Sequence, residues 1–276
     1  MADVLVLANE TLGGGALLDA VRERNAKGDV RFHVVVPQSR PRHGNVIYDE
    51  AVRDSAQVRV DLALAFMRDE GIDGTGEVGD ADPFNAAVDA VGAYGIDEII
   101  ISTLPATTSG WLRRDLPERL ERETGLPVTH IVVDVDAEGL PVEVALVLAN
   151  QTAAGAELRD YLKKLADETP HRFIVVVPQD SGDGRAVSAA RERLGKLLAS
   201  LDEAHIVAAG MIGDPDPYTA AMNALQHFLI SEVVVSTLPS NRSQWVEKGL
   251  VEKLERDSGK AVRHIESSPD TAGAQA

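Results

Sequence analysis

Residues 6–20 read VLANETLGGGALLDA, and residues 147–161 read VLANQTAAGAELRDY. In each copy a run of apolar, strand-forming residues gives way to a polar turn and then to a helical pattern. The three glycines of the first copy suggest a backbone loop for phosphate. The second copy answers with Ala153-Ala154-Gly155, so only Gly14 and Gly155 correspond. Alanine puts a Cβ where close backbone approach needs none, and it favours helix. The stretch is therefore read as a tight turn opening a helix, with Thr11 and Thr152 as its N-caps.

The repetition extends through the chain. RFHVVVPQ (31–38) returns as RFIVVVPQ (172–179), at the same offset of 141 positions. Further on, GEVGDADPFNAAVDA (76–90) returns as GMIGDPDPYTAAMNA (210–224), and STLPATTSGW (102–111) as STLPSNRSQW (236–245). The offset there is 134, so the second copy is seven residues shorter between Gln179 and Gly210. A period this long signals tandem domains rather than a solenoid of short units. The domains are placed at 1–134 and 142–266, and residues 267–276 are expected to be a disordered tail.

Continuous β-branched runs at 4–8, 32–36, 98–102 and 128–133 suit strands buried on both faces. A weaker strand is expected near 72–78, and near 205–209 in the second copy. Helical segments at about 12–25, 48–70, 83–94 and 111–124 separate them. Strand–helix alternation implies an α/β fold: two tandem Rossmann-like domains, each a five-stranded parallel sheet of flavodoxin-like order 3-2-1-4-5. In such sheets ligands bind beyond the carboxyl ends of the strands, where the order reverses. That crevice lies between the first and fourth strands. It collects Asn9, Thr11, Ser102 and Thr103 in one copy, and Asn150, Thr152, Ser236 and Thr237 in the other.

Composition narrows the function. The formal net charge of −17 repels nucleic-acid phosphates and anionic lipid, so neither is expected as a partner. The absence of cysteine excludes disulfides and thiolate metal sites. No apolar run approaches a membrane span, and MADVLVLANE lacks the marks of a signal peptide. A cytoplasmic protein is expected. Asp82-Pro83 and Asp216-Pro217 place an N-cap acid before an N1 proline, so the four aspartates 80, 82, 214 and 216 are read as capping groups rather than a metal site. Ser109 and Ser243 suit N-caps of the fourth helix. The alternative is that they join Thr108 and Arg242 in holding an anion at that helix start. Trp111 and Trp245 are read as core. His130 and His264, on the last strands, are expected at the contact between the domains. The basic stretch Ser39-Arg40-Pro41-Arg42-His43, present in the first copy alone, is read as a solvated loop.

The strand–Asn-x-Thr–helix opening, the valine-rich second strand, the G-D-x-D-P before the third helix and the closing G-L-P-V-T-H-I-V-V resemble the universal stress protein family. The resemblance covers residues 3–134 and 142–266. It implies the fold given above and pairing of the two domains through their last strands; a further homo-oligomer is left open. It also implies a nucleotide crevice with ATP, ADP, AMP or another small anion as ligand, to which Val36 and Val177 would belong along with the polar residues named above. The chain departs from the family's pattern in two places. Asn9 and Asn150 stand where nucleotide-binding members carry Asp. The glycines of the family's G-x-x-G-x9-G-[S/T] motif fall on Ser102, Pro105 and Asp115, and on Ser236, Pro239 and Gly249. Proline offers no N–H to a phosphate, and Ser and Asp obstruct the backbone approach that glycine permits.

Three functions follow as alternatives: a stress-associated protein holding a nucleotide or small anion, a ligand-free scaffold, or a weak nucleotide hydrolase. The third lacks a shared base, because Glu10 becomes Gln151 in the second copy. No cofactor, metal or catalytic residue is assigned.

Overall fold

The structure, a computed structural model, describes residues 1–38, 49–106, 109–111, 115–150, 155–181, 184–239, 243, 245 and 248–267, without the side chains of residues 49–51. Thr108, Thr152 and Arg242, the 39–43 stretch and residues 268–276 lie outside this description. Among the described residues the chain forms two compact units: residues 1–38 with 56–141, and residues 142–267 together with residues 49–55.

The first unit runs β1 (Ala2–Leu7), α1 (Gly15–Ala26), β2 (Val30–Pro37), α2 (Asp49–Asp69), β3 (Gly74–Gly79), α3 (Pro83–Tyr94), β4 (Glu98–Thr103), α4 (Leu116–Thr124), β5 (Val128–Val132) and a short α5 (Val135–Glu138). The second repeats it as β6 (Glu143–Leu148), α6 (Ala156–Glu168), β7 (His171–Pro178), α7 (Gly184–Glu203), β8 (Ala208–Gly213), α8 (Pro217–His227), β9 (Glu232–Thr237), α9 (Leu250–Ser258) and β10 (Ala261–Glu266). Each unit has one five-stranded sheet, in the orders β3-β2-β1-β4-β5 and β8-β7-β6-β9-β10. Every pairing is parallel, and the registers correspond: Val6 faces Val34 and Ile100, and Val147 faces Val175 and Val234.

Burial on both faces explains the valine runs. Val4, Val6, Phe32, Val34 and Val36 pack on one side of the first sheet with Leu17, Val21 and Val60. Leu5, Leu7, Val35, Ile99 and Ile101 pack on the other with Ala86, Ala90 and Leu120. Val135 and Leu140, beyond the last strand, also join the first unit's core.

Of the opening glycines, Gly14 resolves into packing. A Cβ on Gly14 would lie 2.2 Å from Val133 Cγ1, so glycine is needed for the helix start to reach the end of β5. The turn's amides bond within it: Leu12 N–H donates to Asn9 O (3.1 Å) and Gly14 N–H to Thr11 O (3.0 Å). Those donors are spent on the turn. Gly14 and Gly155, rather than Thr11, are the N-cap positions in α1 and α6, and neither helix start has a side-chain cap.

Elsewhere the capping signals hold. Asp82 accepts from Phe84 N–H (2.8 Å) and Asp216 from Thr219 N–H (3.0 Å), each before a proline in the first turn. Asp80 and Asp214 accept from the N–H of Asp82 and Asp216. The fourth helix starts later than its sequence pattern suggests. The described helices α4 and α9 have their N-cap positions at Asp115 and Gly249, at φ +46° and +63°; Trp245, two residues after Ser243, is also helical. The backbone thus keeps a left-handed conformation at the last glycine position of the family motif. Asp tolerates that region better than most side chains.

Candidate functional site

The second unit carries a cleft of about 900 Å³ at the carboxyl end of its sheet. The strand ends contribute Asn150, Asp180, Ser236, Thr237 and Leu238. The start of α8 contributes Asp216, Pro217 and Tyr218. The segment entering α9, with the helix itself, adds Ser243, Trp245, Lys248, Leu250 and Lys253. Strands β6 and β9 are neighbours in the sheet, so the cleft lies where the strand order reverses. Asn150, Ser236, Thr237 and Ser243 are thereby brought together as the sequence suggests. Val177 is not among them; its side chain sits in the hydrophobic core, as does Val36 in the first unit.

In the first unit the corresponding polar residues knit the strand ends to each other. Asn9 Nδ2 donates to Pro37 O (2.8 Å), joining β1 to β2. Thr11 Oγ1 donates to Ser102 O (3.3 Å), joining the turn to β4. Ser109, 3 % exposed, donates its backbone N–H to Pro105 O (2.8 Å). Ser102 Oγ is buried with no hydrogen-bond partner among the described residues. The matching Ser236 Oγ donates to Ser267 Oγ (3.2 Å), because the second copy has Ser267 where the first has Val133.

The threonines at the ends of β4 and β9 form a repeated pair with the last-strand histidines. Thr103 Oγ1 lies 2.9 Å from His130 Nε2, and Thr237 Oγ1 lies 2.7 Å from His264 Nε2. Thr237 Oγ1 also donates to Leu238 O (2.8 Å). A hydroxyl has one proton to give, so His264 Nε2–H is the donor in that pair. These hydroxyls are already engaged within the protein.

The cleft's cations were not singled out from the sequence. Lys248 and Lys253 line it, and Arg114 and Arg119 stand at the matching positions of the first copy. Preservation of charge without identity at both positions was the available signal. Lys253 Nζ lies 3.6 Å from the centroid of the Tyr218 ring; in the first unit Arg119 lies 3.5 Å from that of Phe84. Both members of the pair differ between copies, yet the cation over the aromatic ring remains.

A second repeated cation lies on the longest helices. Arg59 in α2 and Arg193 in α7 correspond at the 134-residue offset. The packing confirms the alignment: Val60 lies against Gly76, and Leu194 against Gly210. Burial pushes the Arg59 guanidinium down to about 10, and the Glu10 charge opposes that shift. Arg193 Nη2 instead meets Asp180 Oδ2 at 3.0 Å, while Asp180 Oδ1 accepts from Asn150 Nδ2 at 3.1 Å. The carboxylate facing the arginine comes from the turn after β1 in one unit and from the loop after β7 in the other.

No family model matches the sequence. No curated protein matches it either. Among solved structures, the chain is similar to a universal stress protein from Archaeoglobus fulgidus DSM 4304, at 14 % identity over 96 % of both chains, with a TM-score of 0.36. It is also similar to the tryptophan synthase complex from Pyrococcus furiosus, at 13 % identity over 95 % of this chain and 86 % of that one, with a TM-score of 0.18. Superpositions this loose carry no functional argument.

Proposed function

We propose that this is a universal-stress-protein-like, stress-associated binding protein that holds a small anionic ligand, of which a nucleotide is the fitting class, without the family's glycine-rich ATP loop. The observation that carries the reading is the second unit's cleft, whose volume of about 900 Å³ suits a nucleotide-sized molecule. Lys248 and Lys253 supply positive charge in a chain that is otherwise strongly acidic, and Trp245 offers a ring face. Where the family motif uses backbone amides for phosphate, this cleft would use ammonium groups. The cleft's carboxylates have other work: Asp216 caps α8 and Asp180 faces Arg193. That leaves little support for the hydrolase alternative.

The scaffold reading has one observation in its favour, in the first unit. Leu104 packs against the core on one face of the sheet and Trp111 against the core on the other, so neither side chain is given over to a ligand. The two units would then differ in function.

The test is a thermal-shift panel of ATP, ADP, AMP and cyclic nucleotides on purified protein, with mass spectrometry of small molecules released on denaturation. A ligand at 100 times its dissociation constant stabilises the folded state by about 2.7 kcal/mol. Lys248→Gln and Lys253→Gln are each expected to weaken binding about tenfold, through loss of a charge-assisted contact. No released ligand and no shift across the panel would favour the scaffold.

A further inference from the structure

The Asp180 carboxylate sits between two groups that would serve an incoming oxyanion well: the Asn150 amide and the Arg193 guanidinium. The fit is incomplete. Arg193 Nε and Asn150 Oδ1 are both buried without a hydrogen-bond partner among the described residues. The amide's orientation follows from chemistry, since an ionised carboxylate accepts only, so the nitrogen must face Asp180. Asp180 thus spends one oxygen on each neighbour, and a donor on Arg193 is left over. A tetrahedral oxyanion has oxygens enough to engage both Nε and Nη2 of a guanidinium and still accept from the amide.

The first copy shows that Asp180 is not dictated by the fold. Its matching residue is Ser39, and the charge beside Arg59 comes instead from Glu10, which the second copy replaces with Gln151. The carboxylate has changed loops while the arginine has stayed. In the second unit this puts it into the lining of the cleft.

We propose that Asp180 is an internal counter-anion masking an oxyanion seat at Arg193, and that it makes the second unit's cleft selective. The cleft accepts an anionic group at its Lys248–Lys253 side and refuses one at its Asn150 side. The location rests on the reading of this cleft as the ligand site; the seat itself does not depend on what the lysines hold.

The experiment titrates the full chain with inorganic phosphate by calorimetry, for wild type, Asp180→Asn, Asp180→Ser and each of these combined with Arg193→Gln. Asp160→Asn, on the exposed face of α6, serves as a control of equal net charge. Asp180→Asn and Asp180→Ser are expected to gain a phosphate-binding event at least tenfold tighter than any at that seat in wild type, absent in Asp160→Asn and abolished by Arg193→Gln. Asp180→Asn preserves shape, so a folded variant is available even if serine disturbs the loop; circular dichroism checks both. No gain in a folded Asp180 variant overturns the proposal, and so does a gain that survives Arg193→Gln. Loss of binding in Lys248→Gln and Lys253→Gln is read separately. Failure of nucleotide binding there would leave the Arg193-dependent phosphate gain intact, and the two readings fail distinguishably.

Discussion

At the scale of single residues, the glycines that open the chain show how an apparent ligand motif reduces to packing. Gly14 has no room for a methyl group, because Val133 would lie 2.2 Å away. Gly15, one residue later, has nothing within 4 Å of its Cβ position. The two therefore respond oppositely to the same change. Gly14→Ala should destabilise the first unit by about 1–3 kcal/mol through overpacking, and Val133→Ala should relieve much of that cost. Gly15→Ala, at the first position of α1, should be neutral or stabilising by up to about 1 kcal/mol. Urea unfolding of the three variants measures both. If Gly14→Ala were as benign as Gly15→Ala, the glycine would have to be explained by something other than the contact with β5. The same scale explains Asp115: a position adopting φ +46° favours glycine, and the second copy has Gly249 there.

At the scale of elements, an interaction can survive between the copies where neither of its residues does. Phe84 with Arg119 has become Tyr218 with Lys253, on the same pair of helices in each unit. If the pairing is the selected feature, it is measurable as coupling. A double-mutant cycle with Phe84→Leu and Arg119→Gln should return about 0.5–1 kcal/mol, and the cycle with Tyr218→Leu and Lys253→Gln a similar value. A coupling near zero in both would leave mere proximity. This pattern also explains what could be read beforehand. Strands were legible because burial on both faces demands apolar residues in an unbroken run, and Val4–Leu7 and Val34–Val36 obey that demand. The starts of α3 and α8 were legible because Asp-Pro fixes both a cap and a backbone angle. The start of α1 was not, since Thr11 suits a cap but bonds to Ser102 O instead. Nor were Lys248, Lys253 and Arg193 as site residues. Surface cations look alike in sequence, and only the fold shows that Lys248 and Lys253 line the cleft and that Arg193 meets Asp180.

At the scale of the whole molecule, the proposed anion binding sets a long-range repulsion from a chain of net charge −17 against a short-range attraction in the cleft. The two respond differently to salt. At about 0.01 M ionic strength the Debye length is about 30 Å, so the ligand feels acidic side chains across much of the surface; at about 0.1 M it is about 10 Å, and only nearby charges count. Contacts with Lys248 and Lys253 inside the cleft are screened less than the distant repulsion. The association rate for AMP should therefore rise over this range, and the dissociation constant should fall or hold steady. That is the reverse of the steep weakening seen when a basic surface meets a polyanion. Stopped-flow and calorimetric titrations at the two salt concentrations read both quantities. A strong loss of affinity with salt would mean that the lysine field reaches well beyond the cleft and dominates the approach. An unchanged rate and affinity would mean that binding does not sense charge, and the ammonium groups would lose their assigned role.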